Sequence, residues 1–357
     1  MRPQAYLNFR SRIQKIAQKS SLPLRMMFEL TYRCNFSCGY CYLPLDYRGK
    51  SQEEELSTRQ IFSILSQLAE MGCFYLGLTG GEPFIRPDIL DILWFAKKKG
   101  FEIIIHTNAS LIDKKIAQEL GRIRPNKIDI TLAALSRPVF KRICGKAQDR
   151  DKVLEAIKLL DQEKINLGFK TCVLKENFRQ IEKISALAAN LGALHRTDYR
   201  LFPRLDGSSE PLKYRNSIPS ILSNMEDELF CSDIKTQASR HAPTDRRGNN
   251  RHLFFCTAGS THAAITPKGE LKICLMIDFP KFKILDNSLK HAWERLKALV
   301  SSFKLDKDYR CYSCELRAYC NWCPARSWLQ ERSFKACSSD SRLWAQALKE
   351  RLVKVEK

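Results

Sequence analysis

The chain has 357 residues, and 44% of them are apolar, so it can bury a large core and still carry a smaller appendage. No apolar run approaches the roughly 20 residues of a membrane-spanning helix, which argues against a membrane protein. The formal net charge of +21 indicates either a solvated basic surface, which we favour, or a site for an acidic peptide, a nucleic acid or a membrane surface. No nucleic-acid-binding motif accompanies the charge, which disfavours nucleic acid.

Residues 1–24 form a basic segment without the apolar stretch of a secretory signal. Tyr6, Phe9, Ile13 and Ile16 recur at helical spacing, which predicts an amphipathic helix docked on the body of the protein. A mitochondrial transit peptide is the alternative. We expect a cytoplasmic protein, and in that reducing compartment fourteen cysteines indicate metal binding or redox chemistry and not disulfides.

Strand and helix patterns alternate from residue 25 to residue 203. The strands are predicted at 26–30, 74–79, 101–107, 128–132, 167–174 and 199–202. The helices between them are predicted at 58–71, 87–99, 114–120, 152–160 and 178–191. Ser57 is predicted to cap the first of these helices and Gly72 to end it, with one apolar face made of Ile61, Ile64, Leu65 and Leu68. The alternation predicts a parallel sheet with outer helices, which right-handed crossovers curl into a barrel or partial barrel.

The pattern changes after residue 203, which divides the chain. Residues 204–250 are polar, contain proline and glycine, and are predicted to form a connection. Residues 251–345 contain seven cysteines and little core-forming periodicity, which predicts a second region that folds around metal. Residues 346–357 form a basic tail, and residues 25–203 form the core.

Cys34, Cys38 and Cys41 follow the first strand with the spacing C-x3-C-x2-C. Three thiolates in one short loop can hold three corners of a [4Fe–4S] cube, and the fourth iron then has no protein ligand. A zinc site is the alternative, but zinc needs a fourth ligand and usually shows paired C-x2-C elements. The spacing, with Tyr40 just before the last cysteine, resembles the signature of the radical S-adenosylmethionine (SAM) superfamily.

Three further elements strengthen this resemblance. Thr79-Gly-Gly-Glu-Pro83 follows the second strand and is similar to the element that binds the SAM amino group in that family. His106-Thr-Asn-Ala109 ends the third strand and resembles a family Thr-Asn-Gly step, with Ala109 in place of glycine. Thr131, at the end of the fourth strand, matches a polar residue near the ribose. All of them end strands, at the edge where parallel sheets place active sites.

The resemblance implies the cofactor chemistry. SAM would bind the open iron through its amino and carboxylate groups, and one electron would split it into methionine and a 5′-deoxyadenosyl radical that takes a hydrogen atom from the substrate. The electron would come from an external flavodoxin- or ferredoxin-type donor. The implied SAM-binding residues are Tyr40, Gly80, Gly81, Glu82, Pro83, Asn108 and Thr131.

The cysteines after residue 250 follow the pattern C-x12-G-x4-C, C-x2-C-x5-C-x2-C and a final C. This is similar to the SPASM extension of radical SAM peptide- and protein-modifying enzymes, although the last C-x2-C is one residue short. The resemblance implies two auxiliary [4Fe–4S] clusters and a partial (β/α)6 TIM-like α/β barrel followed by the cysteine-rich SPASM domain. The outer cluster would use Cys311, Cys314, Cys320 and Cys337.

The inner auxiliary cluster would use Cys256, Cys274 and Cys323, which leaves it one protein ligand short. Either His262 supplies that ligand, six residues after Cys256, or one iron stays open. Both alternatives remain at this point. The zinc alternative for this region is a ribbon built from Cys311, Cys314, Cys320 and Cys323. The remaining cysteines are interpreted as packing residues: Cys73, Cys144, Cys172 and Cys231.

The resemblance favours maturation of a ribosomally made peptide by crosslinking, thioether formation or oxidation. The basic surface would suit an acidic leader on that peptide, and a separate leader-binding protein is a further expected partner. The alternatives are a sulfatase-type maturase that makes formylglycine and an enzyme acting on a small cofactor precursor or carbohydrate. The sulfatase-type reading is weakened because Leu275, and not an acid, follows Cys274. No residue can be assigned to proton removal from the substrate.

Overall fold

The computed structural model describes residues 3–48, 54–223, 253–254, 256–305, 309–320 and 322–355. Cys231 and most of the predicted connection at 204–250 lie outside these residues, as do the arginines at 240, 246, 247 and 251. In the part of the chain that is described, no helix has the length and apolar character needed to cross a membrane.

Strands and helices alternate through the first part of the chain, as the sequence predicts. The strands are β1 (Arg25–Thr31), β2 (Tyr75–Gly80), β3 (Glu102–Thr107), β4 (Lys127–Thr131), β5 (Leu167–Cys172) and β6 (Leu194–Asp198). The helices are α1 (Pro3–Ser20), α2 (Leu45–Arg48), α3 (Thr58–Glu70), α4 (Ile89–Lys98), α5 (Lys114–Ile123), α6 (Arg137–Cys144), α7 (Asp149–Gln162) and α8 (Ile181–Asn190).

The later part of the chain adds a short helix, three strands and three longer helices. These are α9 (Ile218–Ser223), β7 (His262–Ile265), β8 (Glu270–Cys274), β9 (Ile277–Lys283), α10 (Leu289–Ser302), α11 (Pro324–Glu331) and α12 (Ser339–Val355).

The described strands form one sheet in the order β6-β5-β4-β3-β2-β1-β7-β8-β9. Neighbours from β6 through β1 to β7 are parallel, whereas β8 is antiparallel to β7 and β9 is antiparallel to β8. β1 to β6 with their helices confirm the predicted α/β partial barrel. Because all parallel strands point the same way, their carboxyl ends share one edge of the sheet, and the loops that follow them meet there.

Helix α3 shows how local sequence sets an element. The Ser57 hydroxyl accepts from the Gln60 amide, and the Gln60 side chain accepts from the Ser57 amide, so both free amides at the helix start are paired. The four apolar residues predicted to share one face are the buried ones: Ile61, Ile64, Leu65 and Leu68. The predictions for this helix are confirmed.

The sixth strand was predicted at the wrong place. Residues 199–202 are not a strand, and β6 lies at Leu194–Asp198, where side chains alternate between exposed and half-buried. β6 pairs with β5 alone among the described strands, so it is an edge strand that needs no apolar face. The prediction at 199–202 followed the apolar residue Leu201, which is buried but lies in a segment without regular secondary structure. Helix α6 was also missed.

The expectation of little core-forming periodicity after residue 250 was wrong. β7 pairs in parallel with β1, from Arg25 beside His262 to Phe28 beside Ile265. Helix α10 buries five side chains: Leu289, Ala292, Trp293, Leu296 and Val300. The cysteine-rich region therefore extends the same sheet and adds to the same core.

Helix α1 lies at the predicted place, but the face that it buries differs from the predicted one. Ala17 is 3% exposed, whereas Ile16 of the predicted stripe is 60% exposed. The Gln14 side chain donates to the Thr261 hydroxyl at 2.8 Å, which ties the helix to the loop before β7. The side chains of Tyr6 and Phe9 lie outside the described residues.

A buried ion pair joins the two parts of the sheet. Glu29 of β1 and Lys272 of β8 have no exposed surface, and Lys272 Nζ lies 2.9 Å from Glu29 Oε2. The Tyr42 hydroxyl donates to Glu29 Oε1 at 2.8 Å, and Lys272 also donates to the Leu275 carbonyl at 3.2 Å. Buried charges of this kind are tolerated only when paired and hydrogen-bonded, so the pair fixes β8 relative to the loop after β1.

Candidate active site at the carboxyl edge of the sheet

The three loop cysteines lie directly after β1, where the chain reaches the carboxyl edge of the sheet. Cys34, Cys38 and Cys41 are half-buried, and none of them forms a disulfide. The pKa of Cys34 is raised to about 12, mainly by burial and then by the nearby Glu82, Cys38 and Cys41. The three thiols are thus close enough to one another to interact electrostatically. They become thiolates there only if a bound cation compensates the charge, which suits a metal centre.

Two main-chain hydrogen bonds hold this loop against the end of β2. The Gly81 amide donates to the Thr31 carbonyl at 2.7 Å, and the Glu82 amide donates to the Arg33 carbonyl at 2.9 Å. A Cβ on Gly80 would lie 2.1 Å from the Thr31 oxygen, and one on Gly81 would lie 2.1 Å from the Arg33 oxygen. Both glycines are therefore required for the contact between the turn and the loop. The sequence alone did not reveal this role.

Glu82 is fully buried and accepts three hydrogen bonds. Its Oε1 accepts from the Thr107 hydroxyl at 2.7 Å and from the Phe84 amide at 3.1 Å, and its Oε2 accepts from the Asn108 amide at 2.7 Å. Burial raises its pKa from 4.5 to about 7, although the three donors oppose that shift. The carboxylate thus ties the end of β3 to the turn after β2.

Asn108 continues this network towards the cysteine loop. Its side-chain amide donates to Asn35 Oδ1 at 2.9 Å and lies 3.9 Å from Cys34 Sγ. The Ser110 hydroxyl donates to Asn108 Oδ1 at 2.7 Å, and the Asn35 amide lies 2.7 Å from that hydroxyl. The next residue, Ala109, has φ +63°, in the left-handed region that favours glycine. Ala109 thus has the backbone conformation that a glycine at this position would adopt most readily.

The other predicted SAM-binding residues lie at the same edge. Pro83 begins a short 3₁₀ turn over Pro83–Ile85 and is buried. Tyr40 is half-buried, and its pKa is raised by burial and then by the thiols of Cys38 and Cys172. Thr131 ends β4 and is half-buried.

Cys172, which the sequence suggested was only a packing residue, also lies here. It ends β5, and its pKa is raised by burial and by Asp198, Cys38 and Cys41. The carboxyl end of β5 therefore faces the cysteine loop, whereas Cys73 and Cys144 are buried as expected. Nothing in the spacing of Cys172 pointed to this position, because it depends on the strand order.

The C-terminal cysteines fall into two groups by proximity. After burial, the pKa of Cys274 is raised by Cys323 and Cys256. In the second group the pKa of Cys311 is raised by burial and then by Cys337 and Cys314, that of Cys320 by burial and then by Cys311 and Cys337, and that of Cys337 by burial and then by Cys314. The two groups are the two ligand sets that the resemblance implies, and ligation itself stays a prediction. Among the described residues, no three Cys, His, Asp or Glu side chains converge closely enough to hold a single metal ion.

His262 begins β7, six residues after Cys256 of the inner group. Burial lowers its pKa to about 4. Its Nε2 is buried and has no hydrogen-bond partner among the described residues. The Gly259 amide donates to the His262 carbonyl at 2.7 Å, within the tight turn that leads from Cys256 to β7. The neighbouring β8 runs antiparallel to β7 and ends at Cys274.

Comparison with known proteins relates this site to a family. Residues 28–188 match the model of the radical SAM superfamily. The PqqA peptide cyclase of Gluconobacter oxydans is 30% identical over 173 residues, which are 48% of this chain and 48% of that protein. The chain thus spans about half the length of that relative. Mycofactocin maturase MftC of Mycolicibacterium smegmatis is 26% identical over 318 residues, which are 85% of this chain and 78% of that protein.

Two solved structures share the fold. Streptococcus suis SuiB bound to S-adenosylmethionine has a TM-score of 0.67 and 18% identity, over 94% of this chain and 81% of that chain. Native anSMEcpe with bound AdoMet has a TM-score of 0.64 and 16% identity, over 93% of this chain and 99% of that chain. At such identities the likeness shows the common fold.

The raised pKa of Glu82 leads to a prediction about stability. Between pH 4.5 and 7, native Glu82 keeps a proton that the unfolded chain has released, so its contribution to stability falls as the pH rises. We expect the free energy of unfolding of the wild type, relative to Glu82→Gln, to fall by about 3 kcal/mol across this range. Denaturant titrations of both proteins at several pH values measure this difference in the free energy of unfolding. Glu155→Gln, at an exposed helix position, is the matched control, and a pH-independent difference for Glu82→Gln would contradict the prediction.

Proposed function

We propose that the chain is a radical SAM enzyme that uses SAM and iron–sulfur clusters to modify a ribosomally made peptide. The observation that carries the proposal is the placement of three half-buried cysteine side chains at the carboxyl edge, in a loop held against the Gly80–Glu82 turn. When bound to an open iron of a [4Fe–4S] cluster, SAM supplies a carbon radical that removes a hydrogen atom from the substrate.

In this proposal Cys34, Cys38 and Cys41 hold the cluster that binds SAM. The raised pKa of Cys34 fits a ligand that releases its proton only when metal binds. Phe36 within the loop is 7% exposed and packs edge-on against Phe140, with ring centroids 5.6 Å apart. This contact shields the loop from water on the core side, as radical chemistry requires.

SAM is proposed to lie along the strand ends, against the residues that the motifs identify. Glu82 acts there mainly as a positioning group, since the three hydrogen bonds that it accepts come from within the protein. These bonds hold Gly80 and Gly81 in place, and their backbone is then free to face the ligand. The proposed contacts are Tyr40, Gly80, Gly81, Glu82, Pro83, Asn108 and Thr131.

The two C-terminal thiol groups are proposed to hold two auxiliary [4Fe–4S] clusters, which would serve one-electron transfer. Cys311, Cys314, Cys320 and Cys337 supply four ligands for the outer cluster. Cys256, Cys274 and Cys323 supply three for the inner one, and we propose His262 as the fourth. The buried, unpartnered Nε2 of His262 supports this choice over an open iron. We further propose that residues 25–203 form the radical SAM core and residues 251–345 the auxiliary domain.

A peptide substrate is supported by the named relatives, a PqqA peptide cyclase and a mycofactocin maturase. SuiB has also been solved bound to the precursor peptide SuiA, with a TM-score of 0.66 to this chain. We propose an acidic leader on the peptide, a separate leader-binding protein, an external flavodoxin- or ferredoxin-type electron donor and a cytoplasmic location.

The cofactor content gives the first test. We expect protein purified without oxygen to hold about 12 irons per chain, and the triple variant Cys34→Ala, Cys38→Ala, Cys41→Ala to hold about 8. With SAM and dithionite, the wild type should form 5′-deoxyadenosine and the triple variant should form none. Cys73→Ala, at a buried thiol away from the loop, should match the wild type. Zinc in the loop, or cleavage of SAM by the triple variant, would contradict the proposal.

The product gives the second test. A small peptide encoded beside this gene would be co-expressed with the enzyme and analysed by mass spectrometry. We expect it to lose two hydrogen atoms, because ring closure or oxidation removes two C–H, N–H or S–H hydrogens. The triple cysteine variant is the control and should leave the peptide unchanged. A gain of oxygen or of a methyl group would identify a different reaction.

The ligand of the inner cluster gives the third test. In protein labelled with ¹⁵N-histidine, we expect the reduced inner cluster to show nitrogen coupling in pulsed paramagnetic resonance. His262→Ala should abolish the coupling, and His262→Cys should lower the midpoint potential because histidine ligation raises it. His291→Ala, at an exposed helix position, should keep the coupling. An intact inner cluster without coupling in the wild type would mean that one iron is open.

A further inference from the structure

A second group of charged side chains lies on neighbouring strands, outside the residues assigned above. We call it the cationic cluster, and its centre is the carboxylate of Asp129 on β4. Lys127 Nζ lies 2.9 Å from Asp129 Oδ1, Lys170 Nζ lies 3.3 Å from Oδ2, and Arg196 also pairs with Oδ2. Asp129 is 1% exposed. The cluster consists of His106, Lys127, Asp129, Lys170 and Arg196.

The charges of the cationic cluster do not balance. Lys170 Nζ donates to His106 Nδ1 at 2.9 Å, and burial and Lys170 lower the pKa of His106 to about 3, so this ring is neutral at pH 7. Three cations then share the single carboxylate of Asp129. Asp198, the next acid on β6, accepts a hydrogen bond from the Arg200 amide and lies beside Cys172. The cluster thus carries an excess of positive charge in a partly buried place.

A glycine makes room for this arrangement. Gly168 on β5 is the direct neighbour of Asp129 in the sheet. A Cβ at Gly168 would lie 2.3 Å from Lys127 Cε and 2.5 Å from Asp129 Oδ1. A larger residue at this position would displace the Lys127 side chain from Asp129, so this ion pair depends on the glycine.

The cationic cluster shares a sheet face with the cysteine loop. Side chains two residues apart on a strand point to the same face, so Lys170 lies about 7 Å below Cys172. Cys172 is the residue whose pKa is raised by Cys38 and Cys41 of the loop. Lys170 is 39% exposed and Arg196 is 51% exposed, so both can be reached by a molecule bound on this face.

We propose that Lys170 and Arg196 bind a carboxylate of the peptide substrate and so select peptides with an acidic group near the residue that is modified. Arginine and lysine beside one another form strong, charge-assisted hydrogen bonds to a carboxylate, and its negative charge offsets the excess of the cluster. The inference rests on the proposed peptide function and adds the chemical class that the site selects. The methionyl part of SAM also carries a carboxylate. The test below distinguishes binding of the peptide carboxylate from binding of the SAM carboxylate.

The test uses two pools of random peptides that are identical except for a fixed central Glu or Gln. Each pool is incubated with reconstituted, SAM-bound enzyme, and the retained peptides are counted by mass spectrometry. We expect the wild type to retain the Glu pool about tenfold better than the Gln pool. Lys170→Gln and Arg196→Gln should each reduce that preference, whereas Lys158→Gln, at an exposed helix position, should keep it.

Two results would overturn the inference. One is equal retention of both pools by the wild type, or a preference that survives in both variants. The other is a loss of SAM affinity in both variants with no change in the preference, because the carboxylate held would then belong to SAM. Formation of 5′-deoxyadenosine by the same preparations tests the proposed function separately. An enzyme that cleaves SAM but shows no preference for Glu refutes only the carboxylate site.

Discussion

The contact between the loop after β1 and the turn after β2 fixes the position of the candidate active site. Two main-chain hydrogen bonds, to the carbonyls of Thr31 and Arg33, align the loop with the turn. Neither Gly80 nor Gly81 has room for a Cβ at that contact. Since Cys34 directly follows Arg33, any change in this contact displaces the first thiol. The structure of the loop therefore requires the two glycines, whether or not a ligand binds beside them.

Burial of ionisable groups at the carboxyl edge of the sheet destabilises the protein when no ligand is bound. The thiol of Cys34 and the carboxyl of Glu82 both have raised pKa values because burial removes water from them. Such groups reduce stability when they must carry charge without a partner. A bound cationic centre would reverse this penalty, so the same burial that costs stability favours ligand binding. The fully buried Glu29 and Lys272 differ, since each is the other's partner.

The sequence predicted elements whose signals are local. Helix α3 has its cap and its apolar face within one short segment, and the cysteine loop carries its spacing in eight residues. β6 and β7 could not be found in that way, because β6 is an exposed edge strand and β7 is short and rich in alanine. Their strand character depends on pairing with β5 and β1, which are distant in sequence. Cys172 and the cationic cluster were missed for the same reason, since neither exists until the strands are ordered.

The cationic cluster also refines the meaning of the net charge of +21. Some lysines and arginines, such as Arg137 and Lys158, are more than half exposed and form ion pairs with solvent-accessible acids. Exposed pairs of this kind contribute little energy and are screened by salt. Lys127 and Lys170 differ because they surround a buried acid on the face of the sheet that also carries the cysteine loop. A charge that is less hydrated interacts more strongly with a ligand. The affinity for an anionic substrate should therefore depend on these few side chains, while the remaining positive charge stays a solvated surface.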